Sequence, residues 1–195
     1  MITVRKATQE DDKDFTELEL TYFLIFFGYK IKTVLQYLYQ FRFNLFSFEH
    51  VYFAEVDRQK AGMILGYDWQ AKKRENLRTV FLVFKKMGIS IFDKFLSLMK
   101  FNATVGRLTN SEYYISNIAV YPHYKRKGVG KRLMLQAEQV VNMANNERIV
   151  LDVEKENLNA ITFYKEMGYK MILEFAISLQ KDKILHFVRM TKEIK

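Results

Sequence analysis

The residues with the clearest chemical meaning lie between Tyr114 and Leu133, in the run YISNIAVYPHYKRKGVGKRL. A strand-like segment ends, a basic loop containing Gly128 and Gly130 follows, and a helix begins. The first backbone N–H groups of a helix find no acceptor within it and carry partial positive charge. They therefore suit a phosphate or pyrophosphate. Gly128 and Gly130 remove side chains that would hold an anion at a distance. Lys125, Arg126, Lys127, Lys131 and Arg132 concentrate charge at the same place. Two known phosphate loops do not fit. A Walker A loop ending at Gly130-Lys131 needs Gly at 125 and Ser or Thr at 132, where the chain has Lys125 and Arg132. A dinucleotide fingerprint starting at Gly128 needs a small residue at 133, which is Leu133.

A second constellation follows the apolar strand Ile149 to Val153. It runs Asn157-Leu158-Asn159-Ala160-Ile161-Thr162-Phe163-Tyr164-Lys165-Glu166-Met167-Gly168-Tyr169. It resembles the pattern N-x-x-A-x-x-x-Y-x-x-x-G-[FY] of the GNAT superfamily of N-acetyltransferases. The basic loop Lys125-Arg126-Lys127-Gly128-Val129-Gly130 resembles that family's acyl-CoA loop R/Q-x-x-G-x-G/A, with Lys125 where Arg or Gln is usual. That departure keeps the charge and loses the planar fork. The resemblance is close over Tyr113 to Tyr169, loose over Met1 to Trp69 and absent over Gln70 to Asn110. Asn117-Ile118-Ala119-Val120 followed by Tyr121-Pro122 is similar to members that acetylate protein N-terminal amines.

The resemblance implies a mixed α/β fold: a largely antiparallel sheet splayed at the strand 112–120, with helices on both faces. It implies acetyl-CoA as co-substrate and no metal. Backbone groups of Ile118, Ala119 and Val120 would pair with the pantetheine amides by strand addition, with the Val120 N–H stabilising the oxyanion. N–H groups of Arg126, Lys127, Gly128, Val129, Gly130 and Lys131 would hold the pyrophosphate. Asn157 would bond the cofactor arm or nearby backbone, and Tyr164 would protonate the leaving thiolate. Attack by an amine also needs a proton acceptor. The candidates are Asp152, Glu154 and Glu112. Asp152 stands where some protein N-terminal acetyltransferases carry Glu, in an apolar strand where desolvation strengthens a carboxylate as a base. The chain has no Cys, which removes a thiol acyl-enzyme and favours direct attack in a ternary complex.

These groups need a framework. Ile2 to Lys6 reads as a strand, and Thr8 with Asp11 as a capping box. Phe15, Leu18 and Tyr22 mark one helix face; Ile31, Val34, Leu35 and Leu38 mark a second. His50 to Val56 and Ala61 to Trp69 form a hairpin. Gln70 to Asn110 reads as a helical insertion, with runs Leu77, Val80, Phe81, Phe84 and Phe92, Phe95, Leu96, Met99 separated by Gly88. Glu112 to Val120 is a strand, and Leu133, Met134, Ala137, Val140, Val141 and Ala144 stripe the helix after the basic loop. A helix over Asn159 to Met167 and a closing hairpin complete the order β-α-α-β-β-(αα)-β-α-β-α-β-β.

The 195 residues carry 31 Lys+Arg against 22 Asp+Glu, a net charge of +9 that calls for an anionic partner. Disulfide and thiolate-metal chemistry are excluded without Cys, and His50, His123 and His186 lack ligand-like spacing. The apolar stretch Tyr22 to Phe27 is far shorter than the roughly 20 residues of a spanning helix. A single cytoplasmic domain without membrane or nucleic-acid partners is expected. The acceptor is an amine, on a small molecule, a protein N-terminus or a lysine. The aromatic-rich stretch from Tyr22 to Phe48 and the insertion would build its site, and the insertion is also a candidate lid or homodimer contact. The rivals are a non-catalytic acyl-CoA sensor and, on charge and aromatic content, a nucleic-acid-binding module.

Overall fold

The computed structural model describes residues 1–27, 30–88, 104–180 and 183–194. Seven strands form one sheet in the order β1-β2-β3-β4-β5-β7-β6. They are β1 (Ile2–Lys6), β2 (Val51–Val56), β3 (Gln59–Asp68), β4 (Glu112–Val120), β5 (Arg148–Glu154), β6 (Lys170–Gln180) and β7 (Lys183–Glu193). The described helices are α1 (Asp12–Phe27), α2 (Lys30–Gln40), α3 (Trp69–Met87), α4 (Val129–Met143) and α5 (Leu158–Glu166). The element order and mixed, mostly antiparallel sheet agree with the expected fold. The second insertion run, Phe92 to Met99, lies outside the described residues.

Strand alternation sends residues to two cores. Ile115, Ile149, Leu151 and Val153 pack with Leu133, Met134, Ala137 and Val141 of α4 and with Ile161 and Tyr164 of α5. On the other face, Phe53, Met63 and Leu65 pack with Phe15 and Leu18 of α1, Val34, Leu35 and Leu38 of α2, and Leu82 and Val83 of α3.

The face that α3 buries differs from the expected stripe. Leu77 and Phe81 are exposed, while Glu75, Thr79, Leu82 and Val83 are buried. Polar bonds decide this orientation. Glu75 accepts from Arg74 at 2.6 Å and meets His50 Nε2 at 2.7 Å, and Thr79 Oγ1 accepts from the Leu45 N–H at 2.9 Å. Burial pushes the Glu75 carboxyl up, but these partners hold it below its ordinary value.

The start of α1 is fixed by charge. Asp11 accepts two bonds from the Arg5 guanidinium at 2.8 Å and one from the Thr8 N–H at 2.8 Å, and pairs with Lys60 at 2.8 Å. Lys60 also reaches Asp14, and Tyr121, just after β4, donates to Asp14 and to Glu17. The helix is therefore tied to β1, β3 and the end of β4 together.

Burial alone would raise the Asp11 carboxyl, but the bonds from Arg5, Lys60 and Thr8 drive it well below the usual carboxylate range. A depressed folded-state pKa contributes stability above the unfolded pKa and loses it as pH falls. Urea unfolding should show the midpoint dropping below about pH 4, with a shallower drop in Asp11→Asn. At neutral pH, Asp11→Ala should cost on the order of 2–3 kcal/mol.

Candidate active site

The site is built from a strand pair that stops. β4 and β5 run parallel, and their register ends at Ile115↔Leu151. β4 continues to Val120 paired with β3 alone, while β5 continues to Glu154 paired with β7. The break coincides with a register shift. Leu65 faces Asn117 and Gly66 faces Ile115, leaving Ser116 as the extra residue of a bulge. Beyond it the Tyr121 N–H donates to the Ala61 carbonyl on β3 at 2.9 Å. Backbone groups alternate sides along a strand. Ala119 therefore points to β3, and Ile118 and Val120 point to the open side vacated by β5. Of the three strand residues expected to meet a pantetheine arm, the two outer ones present backbone groups with no strand partner among the described residues.

The splay leads into the basic loop. Pro122–Tyr124 make one 3-10 turn, and α4 starts from Gly128. Arg126 and Gly128 have left-handed φ values of 61° and 83°. Left-handed residues of this kind are the ones that turn backbone N–H groups toward anion-binding concavities. Lys125, Arg126, Lys127, Lys131 and Arg132 are all exposed, and none forms an ion pair among the described residues. An anion at this helix start would meet uncompensated positive charge.

The two glycines have different reasons. Gly128 needs its positive φ. Gly130 is an ordinary helical residue whose missing Cβ would lie 3.5 Å from the Phe163 ring of α5. A methyl group there would reach ordinary van der Waals contact with that ring.

Asn157 is the N-cap of α5, its Oδ1 accepting from the Ala160 N–H at 3.2 Å. Tyr164 is buried on α5, with its ring 5.4 Å from Phe163 and 5.9 Å from Tyr169. Gly168, at φ 89°, closes the helix through its N–H to Lys165.

The Asp152 side chain is fully buried and heavily engaged. Arg189 donates to it twice, at 2.7 and 2.8 Å, and the Gly106 N–H donates at 2.7 Å. Lys72 Nζ donates to the Gly106 carbonyl. Burial lowers Lys72 to about 8, helped by Arg189 and opposed by Asp152. This cluster clasps α3 and the segment 104–108 to β5 and β7. Of the other carboxylates considered, Glu112 accepts the Thr109 N–H at 2.7 Å, and Glu154 is half-buried.

One carboxyl escaped the sequence reading. Glu19 of α1 is buried, and Asn117 Nδ2 donates to its Oε2. Burial raises it to about 7, against the opposing hydrogen bond from Asn117. The available signal was an acid on the buried stripe of α1, four residues after Phe15 and beside Leu18. Among the described residues no group of His, Asp and Glu is arranged to hold a metal ion, and no helix is long and apolar enough to cross a membrane.

Comparison with known proteins agrees with this geometry. Residues 13–169 match the Acetyltransferase (GNAT) family. The chain is 37% identical over 59 residues to GCN5-related N-acetyltransferase 4, chloroplastic, of Arabidopsis thaliana, covering 30% of this chain and 20% of that protein. The curated relatives are matched over 18% to 51% of their own length. A solved acetyltransferase structure superposes with a TM-score of 0.72 at 20% identity, covering 99% of this chain and all of that one. The ribosomal-protein-S18-alanine N-acetyltransferase of Escherichia coli gives 0.59 at 14%, covering 100% and 95%. An N-acetyltransferase of Thermoplasma acidophilum in complex with coenzyme A gives 0.55 at 14%, covering 99% of each. These structural likenesses show the fold.

The contrast between the glycines is testable by urea unfolding. Gly128→Ala should cost about 1–2 kcal/mol, because Ala must take a left-handed conformation. Gly130→Ala should change stability by less than about 1 kcal/mol, because its methyl group reaches only ordinary contact distance.

Proposed function

The chain belongs to the GNAT family of acetyltransferases, and from that premise we propose that it moves an acetyl group from acetyl-CoA to a primary amine by direct attack in a ternary complex. The observation that carries this reading is the open edge of β4 at Ile118 and Val120, continuous with the uncompensated positive helix start at Gly128. An extended amide-bearing chain ending in a pyrophosphate matches that sequence of donors and acceptors. In this reading Arg126 to Lys131 hold the pyrophosphate, the Val120 N–H pairs with the pantetheine arm, and the Ile118 N–H, farther from the loop, supports the oxyanion in place of the Val120 N–H expected above. Asn157 lies beside the arm, its cap bond setting the start of α5.

Tyr164 would donate its hydroxyl proton to the departing thiolate. Its burial in the α5 face of the core fixes the ring and keeps bulk water from competing for that proton. Asp152, with its charge shared with Arg189 and the Gly106 N–H, would shape the acceptor wall. A protein N-terminus is the acceptor kind we favour. The Asn117–Pro122 run supports it, as does the likeness to the ribosomal-protein-S18-alanine enzyme.

The test is acetyl transfer to peptides with free N-terminal amines, followed as CoA release and peptide mass. Tyr164→Phe should lower kcat by about 10–100-fold with KM for acetyl-CoA changed less than about threefold. An unchanged kcat removes Tyr164 from the acid role. Tight acetyl-CoA binding without transfer to any amine would instead favour a non-catalytic acyl-CoA sensor.

A further inference from the structure

Two carboxyl groups lie on the α1–α3 face of the sheet, one on each side of the splay. Asp152 is on the β5 side. It has a guanidinium and a backbone N–H as partners, so its negative charge is already compensated. Glu19 is on the other side, on α1 above β4. Among the described residues its hydrogen-bond partner is the neutral amide of Asn117, and it belongs to no ion pair. A buried carboxylate without a counter-charge is a place for a cation or a proton.

The position matters as much as the charge. Asn117 is the first residue after the Ser116 bulge, next to Ile118 where the open edge of β4 begins. It alternates with Ile118 and Val120, which face α4, and so shares the opposite face with Ala119. Its side chain thus leaves the strand on the acceptor side, at the height where the free backbone groups start.

We propose that Glu19 accepts the proton of the incoming ammonium, with Asn117 holding its carboxylate at the acyl end of the splay. This rests on the acetyltransferase reading above and replaces Asp152 as the base. The ammonium binds as the missing counter-ion and passes one proton to Glu19. The freed lone pair forms the C–N bond at the acetyl carbon, and the C–S bond breaks. The nitrogen's second proton reaches the CoA sulfur by way of the Tyr164 hydroxyl. Glu19 then returns its proton to solvent, so the cycle yields amide, CoA thiol and one free proton.

The surroundings favour this assignment. On β3, Tyr67 is the titratable side chain facing Glu19. Burial raises its pKa, the bond with Ser116 opposes this, and both Glu19 and Asp152 raise it further. β4 contributes the neutral Asn117 and Ser116. The buried residues of α2 are the apolar Ile31, Val34, Leu35 and Leu38, and Tyr39, which stacks on Phe15 at the start of α1 and donates its hydroxyl to the Thr8 carbonyl at 2.8 Å. The charged residues Asp14 and Glu17 of α1 face Lys60 and Tyr121 at the helix start.

The experiment compares wild type and Glu19→Gln on an alanine-initiated peptide across pH, with acetyl-CoA affinity measured by thermal shift. Gln can still accept the Asn117 bond, so both proteins should fold and bind acetyl-CoA alike. An N-terminal amine is still mostly protonated at about pH 7.3, where a carboxyl raised to about 7 is mostly ionised, and it is mostly neutral at about pH 9.5. The variant should lose about 100-fold in kcat/KM at the lower pH and narrow to about threefold at the higher one, where no base is needed. Equal losses at both pH values, or no loss at either, overturn the proposal. Asp152→Asn with the narrowing deficit in place of Glu19→Gln would also overturn it. A wild type that binds acetyl-CoA yet acetylates no peptide or small amine refutes the acetyltransferase reading itself.

Discussion

Everything at the site depends on a parallel strand pair that ends after four residue pairs, at Ile115 and Leu151. A sheet strand inside a protein must pair its backbone groups or present them to something that will. Past the Ser116 bulge, β4 keeps its bonds to β3 and, among the described residues, leaves its other edge unpaired, while β5 turns to β7. The protein thereby holds a short, preformed row of amide donors and acceptors inside a sheet. α4 begins at the end of that row, so its unpaired N–H groups extend the same line of positive potential.

Holding such a break open requires polar anchors on both sides. On one, Asp11, Lys60, Asp14 and Tyr121 tie α1 to β1, β3 and the end of β4. On the other, Asp152, Arg189, Gly106 and Lys72 clasp the insertion to β5 and β7. Each anchor is a buried or half-buried charge with several partners, which gives register more than net stability. Between them, among the described residues, Glu19 accepts a bond from the neutral amide of Asn117 and belongs to no ion pair. Its protonation is therefore the one that an arriving ammonium can change at least cost.

Much of this was legible in the sequence because it is local. The loop Lys125–Gly130, the stripe Leu133 to Val141 and the Asn157–Tyr169 run each carry their own periodicity or turn chemistry, and each forms the element expected. The face that α3 buries, and the partners of Asp152 and Glu19, depend on residues distant in sequence. α3 buries Glu75 and Thr79 because His50 and the Leu45 N–H wait for them, and no pattern within α3 displays that. Asp152 reads as a free strand carboxylate until β7 supplies Arg189. Glu19 was visible as an acid on the apolar stripe of α1, but its place beside the splay comes from the sheet order.

The most direct test of the account is amide hydrogen exchange with and without acetyl-CoA. If the open β4 edge and the α4 start form the cofactor site, ligand should slow exchange at Ile118, Val120 and residues 126–131. Ala119 and Tyr121, whose backbone groups face β3, should change little. Binding that leaves Ile118 and Val120 unprotected, or that protects a different face of the sheet, would contradict it.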